Sequence, residues 1–402
     1  MASSVCNRLQ GFCYIVHHLI KTSQMIHHSF RLPAVMIVMV ASVLSMSCNN
    51  EPTNSESKKD TANKTNEAAK APSKLPDSLD PISQPLVTEI FTADPSAHVF
   101  NGKIYIYNSH DYEAGIPQDD LGSHFAMKDY QVLSMDKIDG PAKVNPVAID
   151  VKDIPWAGRQ LWAPDAAYEN GTYYLYFPVK DKKDVFYMGV ATSDSPVGPF
   201  KAEPEPIKGS YSIDPAVFKD TDGSYYMYFG GIWGGQLQRW ATGKYVGKDT
   251  YPADDKPALT AKVVKLNKDM KSFDGAVKDV VILDENGKPL LAKDNNRRFF
   301  EASWVHKYNG KYYFSYSTGD THLICYAIGD NPLGPFTYKG VVLNPVEGWT
   351  NHHSIVEVGG KWYLFYHDVQ LSGQTHLRNV KVTELKYNAD GTIQTITPYT
   401  KK

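Results

Sequence analysis

Five ionisable positions open one repeated phrase in this 402-residue chain: Asp94, Asp165, Asp214, Glu301 and the pair His352/His353. Carboxyl groups set around one cleft can cleave a glycosidic bond. One carboxylic acid protonates the leaving oxygen, and a second carboxylate activates water or attacks the sugar directly. Crowding pushes their pKa values apart and keeps one of them protonated near neutral pH. Glu301 is the clearest candidate acid, because Phe299, Phe300 and Trp304 surround it in sequence and an apolar setting raises a carboxyl pKa. Asp94-Pro95 and Asp214-Pro215, taken singly, are ordinary turn starters. Their recurrence in register with Glu301 argues for a shared role.

The elements that must position these groups follow from the rest of the phrase. After the ionisable residue come a short strand, a glycine turn and an aromatic strand. The turns are Asn101-Gly102, Asn170-Gly171, Asp222-Gly223, Asn309-Gly310 and Gly359-Gly360, and the strands after them end on Tyr107, Tyr176, Tyr228, Tyr316 and Tyr366. Asn-Gly and Asp-Gly favour tight hairpins because the turn needs positive φ at its centre. Tyr- and Trp-rich alternation suits a pleated, half-buried strand. Five such hairpins predict an all-β chain folded as a five-bladed β-propeller, with the five opening positions in a ring around its axis.

Forty-two Lys and Arg balance 44 Asp and Glu, so no electrostatic case exists for nucleic acid or for an anionic membrane surface. Cys6, Cys13 and Cys48 precede the folded body, which leaves only Cys325 in it, and no disulfide framework is expected. The apolar run Ala34–Leu44 ends in Ser45-Met46-Ser47 before Cys48. It is too short to span a bilayer and suits a signal-peptide core. Small residues directly before Cys resemble a bacterial lipoprotein signal. That resemblance implies a signal peptide over 1–47, lipidation at Cys48 and an outer-membrane lipoprotein of the bacterial cell envelope, held to the membrane through its lipid anchor only. Residues 48–85 are polar and Pro-containing, and read as a disordered linker. The propeller is expected over 86–402.

The phrases Thr92-Ala-Asp94-Pro-Ser96, Leu161-Trp162-Ala-Pro-Asp165, Ser212-Ile-Asp214-Pro-Ala216, Phe300-Glu301-Ala-Ser303 and Asn351-His352-His353-Ser354 resemble glycoside hydrolase family 43. Gly198-Pro-Phe200 and Gly334-Pro-Phe336 match blade-edge phrases of that family. The resemblance implies a five-bladed propeller that inverts configuration at xylose or arabinose units. It implies Asp94 as general base, Glu301 as general acid, and Asp214 as the third carboxylate that orients Glu301. It places Trp162, Arg378 and Asp165 around the sugar, Asp165 less directly than the other two. His352 matches a channel histidine that in some members helps to hold Ca2+ through water. No cofactor is required by this reading, and calcium in the central channel is the metal it allows. An inverting pair leaves room for water, so Asp94 and Glu301 are expected roughly 6.5–9.5 Å apart.

The function expected is an exo-acting β-xylosidase or α-L-arabinofuranosidase, or both, acting on xylo- or arabino-oligosaccharides from plant hemicellulose. The segment from Asn108 to Tyr130 reads as a long loop able to wall off a pocket. Alternatives are an endo-arabinanase with an open groove and a catalytically silent sugar-binding lipoprotein. A retaining fructosidase fits poorly, because the phrases around Asp94 and Glu301 lack its motifs.

Overall fold

A computed structural model describes residues 73–402. The signal peptide, Cys48 and the linker up to residue 72 lie outside the described residues.

Each copy of the phrase builds the inner two strands of one antiparallel blade. Blade I runs through Phe91–Phe100, Lys103–Asp111, Asp129–Met135 and Lys143–Asp150. Blade II comprises Asp165–Glu169, Thr172–Asp181, Phe186–Ser193 and Lys201–Ala202, with an extra strand, Ala157–Leu161, on the far end of Thr172–Asp181. Blade III is Ala216–Lys219, Tyr225–Phe229, Lys262–Leu266 and Phe273–Asp279. Blade IV is Glu301–Tyr308, Lys311–Ser317, Ile324–Gly329 and Phe336–Leu343, edged by Ile282–Leu283 in parallel. Blade V has three strands, His353–Val358, Lys361–Asp368 and Asn379–Leu385. The inner strands neighbour one another in cyclic order, I to II to III to IV to V and back to I. This is the five-bladed propeller that the repeat predicts.

Four of the five hairpin turns have positive φ at both central residues, as at Asn101 (52°) and Gly102 (78°). The Asp222-Gly223 copy has it only at Gly223, and closes a longer turn in which the Ser224 carbonyl accepts from the Asp220 N–H.

The apolar cores lie between blades. Tyr107 and Tyr130 of blade I pack with Leu175 and Phe177 of blade II, and Ala97 and Ile106 of blade I pack with Phe365 and Val380 of blade V. The terminal tyrosine of the phrase repeats a further contact. Its hydroxyl donates to Pro196 O from Tyr107 (2.7 Å), to Met270 O from Tyr176 (2.8 Å) and to Pro332 O from Tyr228, each time tying one blade to the chain of the next. Tyr316 departs from this and donates to Arg297 O ahead of its own blade. Burying each ring while satisfying its hydroxyl gives a blade joint that is both apolar and directional.

The ring closes where blade V meets blade I. The Ala97 N–H donates to Ser354 Oγ (3.0 Å), and the Thr92 N–H donates to Arg378 O (2.8 Å). One expectation is corrected here. The linker expected over 48–85 is ordered in its last part: Leu79–Pro81 pairs antiparallel with Tyr399–Lys401, and Ser83 Oγ lies 2.9 Å from Tyr366 Oη. The partner of this polar segment is the far end of the chain, which local composition does not register.

Candidate active site

Two of the opening acids sit on distorted strand starts. Asp94 has φ of 51° at a bulge where the pairing of blade I shifts between Ala93 and Ser96. The matching bulge in blade IV falls between Glu301 and Trp304, with Ala302 at φ 61°. Asp214, at φ 57°, precedes the inner strand of blade III. Left-handed backbone at non-glycine residues is costly and clusters at functional sites, where it turns side chains away from the regular pleat. Here all three carboxyl groups line one pocket, together with Trp162, His352 and Arg378.

Opposite electrostatics divide them. Burial is the largest single influence on Asp94 and works against its ionisation, but Arg378, His367, His352 and the Ser109 hydrogen bond together outweigh burial and hold the carboxyl below its usual value. Arg378 Nη1 donates to Asp94 Oδ1 (2.8 Å), and Ser109 Oγ donates to Oδ2 (2.7 Å). Arg378 is itself held by a two-pronged pair to Asp111, with Nε to Oδ2 and Nη2 to Oδ1 both at 2.8 Å. His367 adds a neutral brace. Its Nδ1 accepts the Asp94 N–H (3.0 Å), which leaves the proton on Nε2, facing Thr350 O at 3.1 Å. Burial lowers the pKa of this imidazole to about 3.

Glu301 lies on the other side. Burial, reinforced by the negative charge of Asp94, raises it to about 8. Asp214 is pushed well above its usual value by burial and by Glu301, since two adjacent buried carboxyl groups cannot both ionise. Asp214 Oδ2 accepts the Ala302 N–H (2.8 Å) and so pins the bulge that aims Glu301. Such a pocket holds one ready carboxylate and one ready acid at neutral pH.

Trp162 and Arg378 line the pocket. Asp165 does not, and its placement against the substrate is corrected. Its side chain is fully buried between blades, where Oδ1 meets Ser96 Oγ and His98 Nε2 (2.6 Å for the latter) and Oδ2 accepts the Val217 N–H. Asp165 begins a regular strand paired with Tyr176, so no bulge turns it toward the mouth. His352 lines the pocket with both ring nitrogens unpartnered, its Nε2 3.9 Å from Asp214 Oδ2. Neighbouring His353 faces away, 2.6 Å from Ser315 Oγ.

The long loop between Asp111 and Asp129 does wall the pocket, through Asp119, Gly122, Phe125 and Met127. Sequence reasoning missed Asp111, His367 and Thr350, which act through neighbours remote in the chain. It also missed Trp233, stacked on Trp349 at 5.5 Å and set edge-on to Phe300 at the rim. The Gly230-Gly-Ile-Trp-Gly-Gly run around it was a usable signal, because a Cβ at Gly234 would come 2.7 Å from Leu121 O.

Residues 82–393 match the sequence profile of the glycosyl hydrolases family 43. A xylosidase/arabinosidase of Bacteroides ovatus is 60% identical over 313 residues, covering 77% of this chain and 96% of that protein. A β-xylosidase/α-arabinofuranosidase from a compost metagenome, solved with xylotriose in a calcium-free form, superposes with a TM-score of 0.79 at 66% identity, covering 80% of this chain and 100% of that one. A family 43 enzyme of Xanthomonas citri bound to xylotriose gives 0.76 at 55% identity, over 79% and 94% of the two chains. The chain therefore belongs to glycoside hydrolase family 43.

Proposed function

We propose that this chain is an exo-acting pentosidase that removes β-D-xylosyl and α-L-arabinofuranosyl units from xylo-oligosaccharides with inversion. The observation that carries the reading is the division of labour in the pocket: Arg378 keeps Asp94 ionised while burial keeps Glu301 protonated. Asp94 takes a proton from water as its oxygen attacks the anomeric carbon. Glu301 gives its proton to the departing glycosidic oxygen, so the charge on the pair swaps and the site resets by exchange with solvent. Asp214 sets the aim of Glu301 through the Ala302 N–H. Trp162 and Arg378 shape the sugar pocket. The xylosidase and arabinofuranosidase descriptions of relatives at 56–66% identity support the sugar class. A pocket walled by the loop before Asp129 favours exo action over the open groove of an endo-arabinanase.

The test is hydrolysis of an aryl β-xyloside and an aryl α-L-arabinofuranoside by the parent and by Glu301→Ala, with NMR of the first-formed anomer. Activity retained within a few fold in the variant would remove Glu301 from the acid role, and a first product of retained configuration would remove the inverting mechanism.

His352 would be the residue facing a calcium ion in the channel. Its two unpartnered ring nitrogens fit contact through ordered water. Calcium prefers oxygen ligands, and no group of three or more His, Cys, Asp or Glu among the described residues forms a direct cage, so water would supply most of the shell. Bound near His352, calcium would supply positive charge to a pocket that holds three carboxyl groups. The leader supports a lipid-anchored location through Cys48, checked by mass spectrometry of the mature N-terminus and its loss in Cys48→Ala.

A further inference from the structure

A buried lysine with no carboxylate partner stands behind the pocket wall. Lys180 is 4% exposed, and among the described residues its ammonium has one hydrogen-bond partner, Gln160 Oε1 at 2.6 Å. Its other close neighbours are the faces of Phe186 (5.0 Å) and Trp162 (5.9 Å). Burial lowers its pKa to about 8. An ammonium kept in such a setting is costly, and an apolar side chain of the same length would pack there without that cost.

Gln160 shows what the lysine does. It occupies the bulge of the extra strand of blade II, at φ 58°, where pairing with Thr172–Asp181 shifts between Arg159 and Leu161. Its Nε2 donates to two loop carbonyls, Gly122 O (2.9 Å) and Phe125 O (3.1 Å). Phe125 O also accepts from Trp162 Nε1 (2.8 Å). An amide can flip, and this one has three neighbours that demand opposite ends of it. An ammonium only donates and carbonyls only accept, so Lys180 forces Oε1 toward itself and Nε2 toward the loop. The loop has little slack to absorb an error. A Cβ at Gly122 would meet the Trp162 ring at 2.8 Å, and the Phe125 ring lies 4.8 Å below the Arg378 guanidinium.

We propose that Lys180 is a positioning residue for sugar binding: by locking the Gln160 amide it fixes the Gly122–Phe125 turn and Trp162 as the pocket wall. The inference rests on the pocket being the sugar site proposed above. It differs from the catalytic assignments in acting on the wall and not on the proton transfers.

The deciding variant is the double change Lys180→Met and Gln160→Met, which removes the polar relay while keeping two flexible apolar stems and leaving no buried group unpaired. On an aryl β-xyloside, KM should rise about tenfold, equal to about 1.4 kcal/mol of lost binding. The kcat value should stay within about threefold and both limbs of its pH profile should stay in place. The single change Lys180→Met should raise KM as much as the double, because the two residues act as one unit. In substrate-free protein, the amides of 122–125 should exchange faster in the double variant than in the parent. Unchanged KM in a folded double variant, or unchanged exchange, overturns the proposal. A shifted pH limb also overturns it, since the relay would then act through Arg378 on Asp94. If the parent cleaves neither aryl glycoside, the functional reading fails, and the exchange comparison still decides whether the relay holds the loop.

Discussion

At the scale of single residues, two carboxyl groups of similar intrinsic acidity are driven in opposite directions. The raised Glu301 and the lowered Asp94 predict a bell-shaped kcat/KM profile, whose high-pH limb lies near 8 and whose low-pH limb lies below the ordinary aspartate value. The stability of the fold should carry the same signature. The folded-state pKa of Glu301 exceeds its unfolded value, so the associated stability is present below about 4.3 and is lost as pH rises through about 8. Glu301→Gln mimics the protonated form. Its melting temperature should match the parent near pH 4 and exceed it at pH 9, and a constant difference across that range would contradict a raised pKa. Arg378→Lys tests the other arm. A single ammonium cannot hold Asp111 by two prongs and still reach Asp94, so kcat/KM should fall about 10²-fold. The low-pH limb should move upward as the buried Asp94 loses its cation.

At the scale of elements, the five opening residues share a position in the repeat and part company in backbone geometry. Bulges turn Asp94 and Glu301 into the pocket, while the regular start of blade II leaves Asp165 as a strut joining blades I, II and III. Asp165→Ala removes both acceptor oxygens and leaves the buried Val217 N–H, which can only donate, without its partner. It should cost about 1–3 kcal/mol in urea unfolding with KM unchanged, whereas a KM change at full stability would restore it as a sugar ligand. The repeated tyrosines were legible as strand residues. Their second use, a hydroxyl donated to the neighbouring blade, depends on where that blade packs.

Across the whole molecule, the ring is held at the junction of its first and last blades. Within the last blade, the pair Lys381–Asp368 is completely buried at 2.5 Å, with Tyr399 Oη donating to the same carboxylate (2.9 Å) from the strand that clasps Leu79–Pro81. Lys381→Met would leave Asp368 buried without its cation and should cost about 3–5 kcal/mol by calorimetry or denaturant. A loss below about 1 kcal/mol would show that the last blade and the terminal strands clasped to it do not depend on this pair.

The amino-acid sequence by itself determined the five hairpins, the all-β propeller and the five ionisable positions that open the repeat, because turn chemistry and strand alternation are local and repeat in register; the choice of Asp94, Asp214 and Glu301 among them rested on the family resemblance. The sequence also marked the loop before Asp129 as a pocket wall. Tertiary structure alone decided which opening residues face the mouth, since one bulge reverses the direction of a side chain. It likewise decided the partners of the acids. Arg378 is 284 residues from Asp94, and Ala302 is 88 from Asp214. Their electrostatic effect depends on distance and burial through space, neither of which is written in any window of the chain.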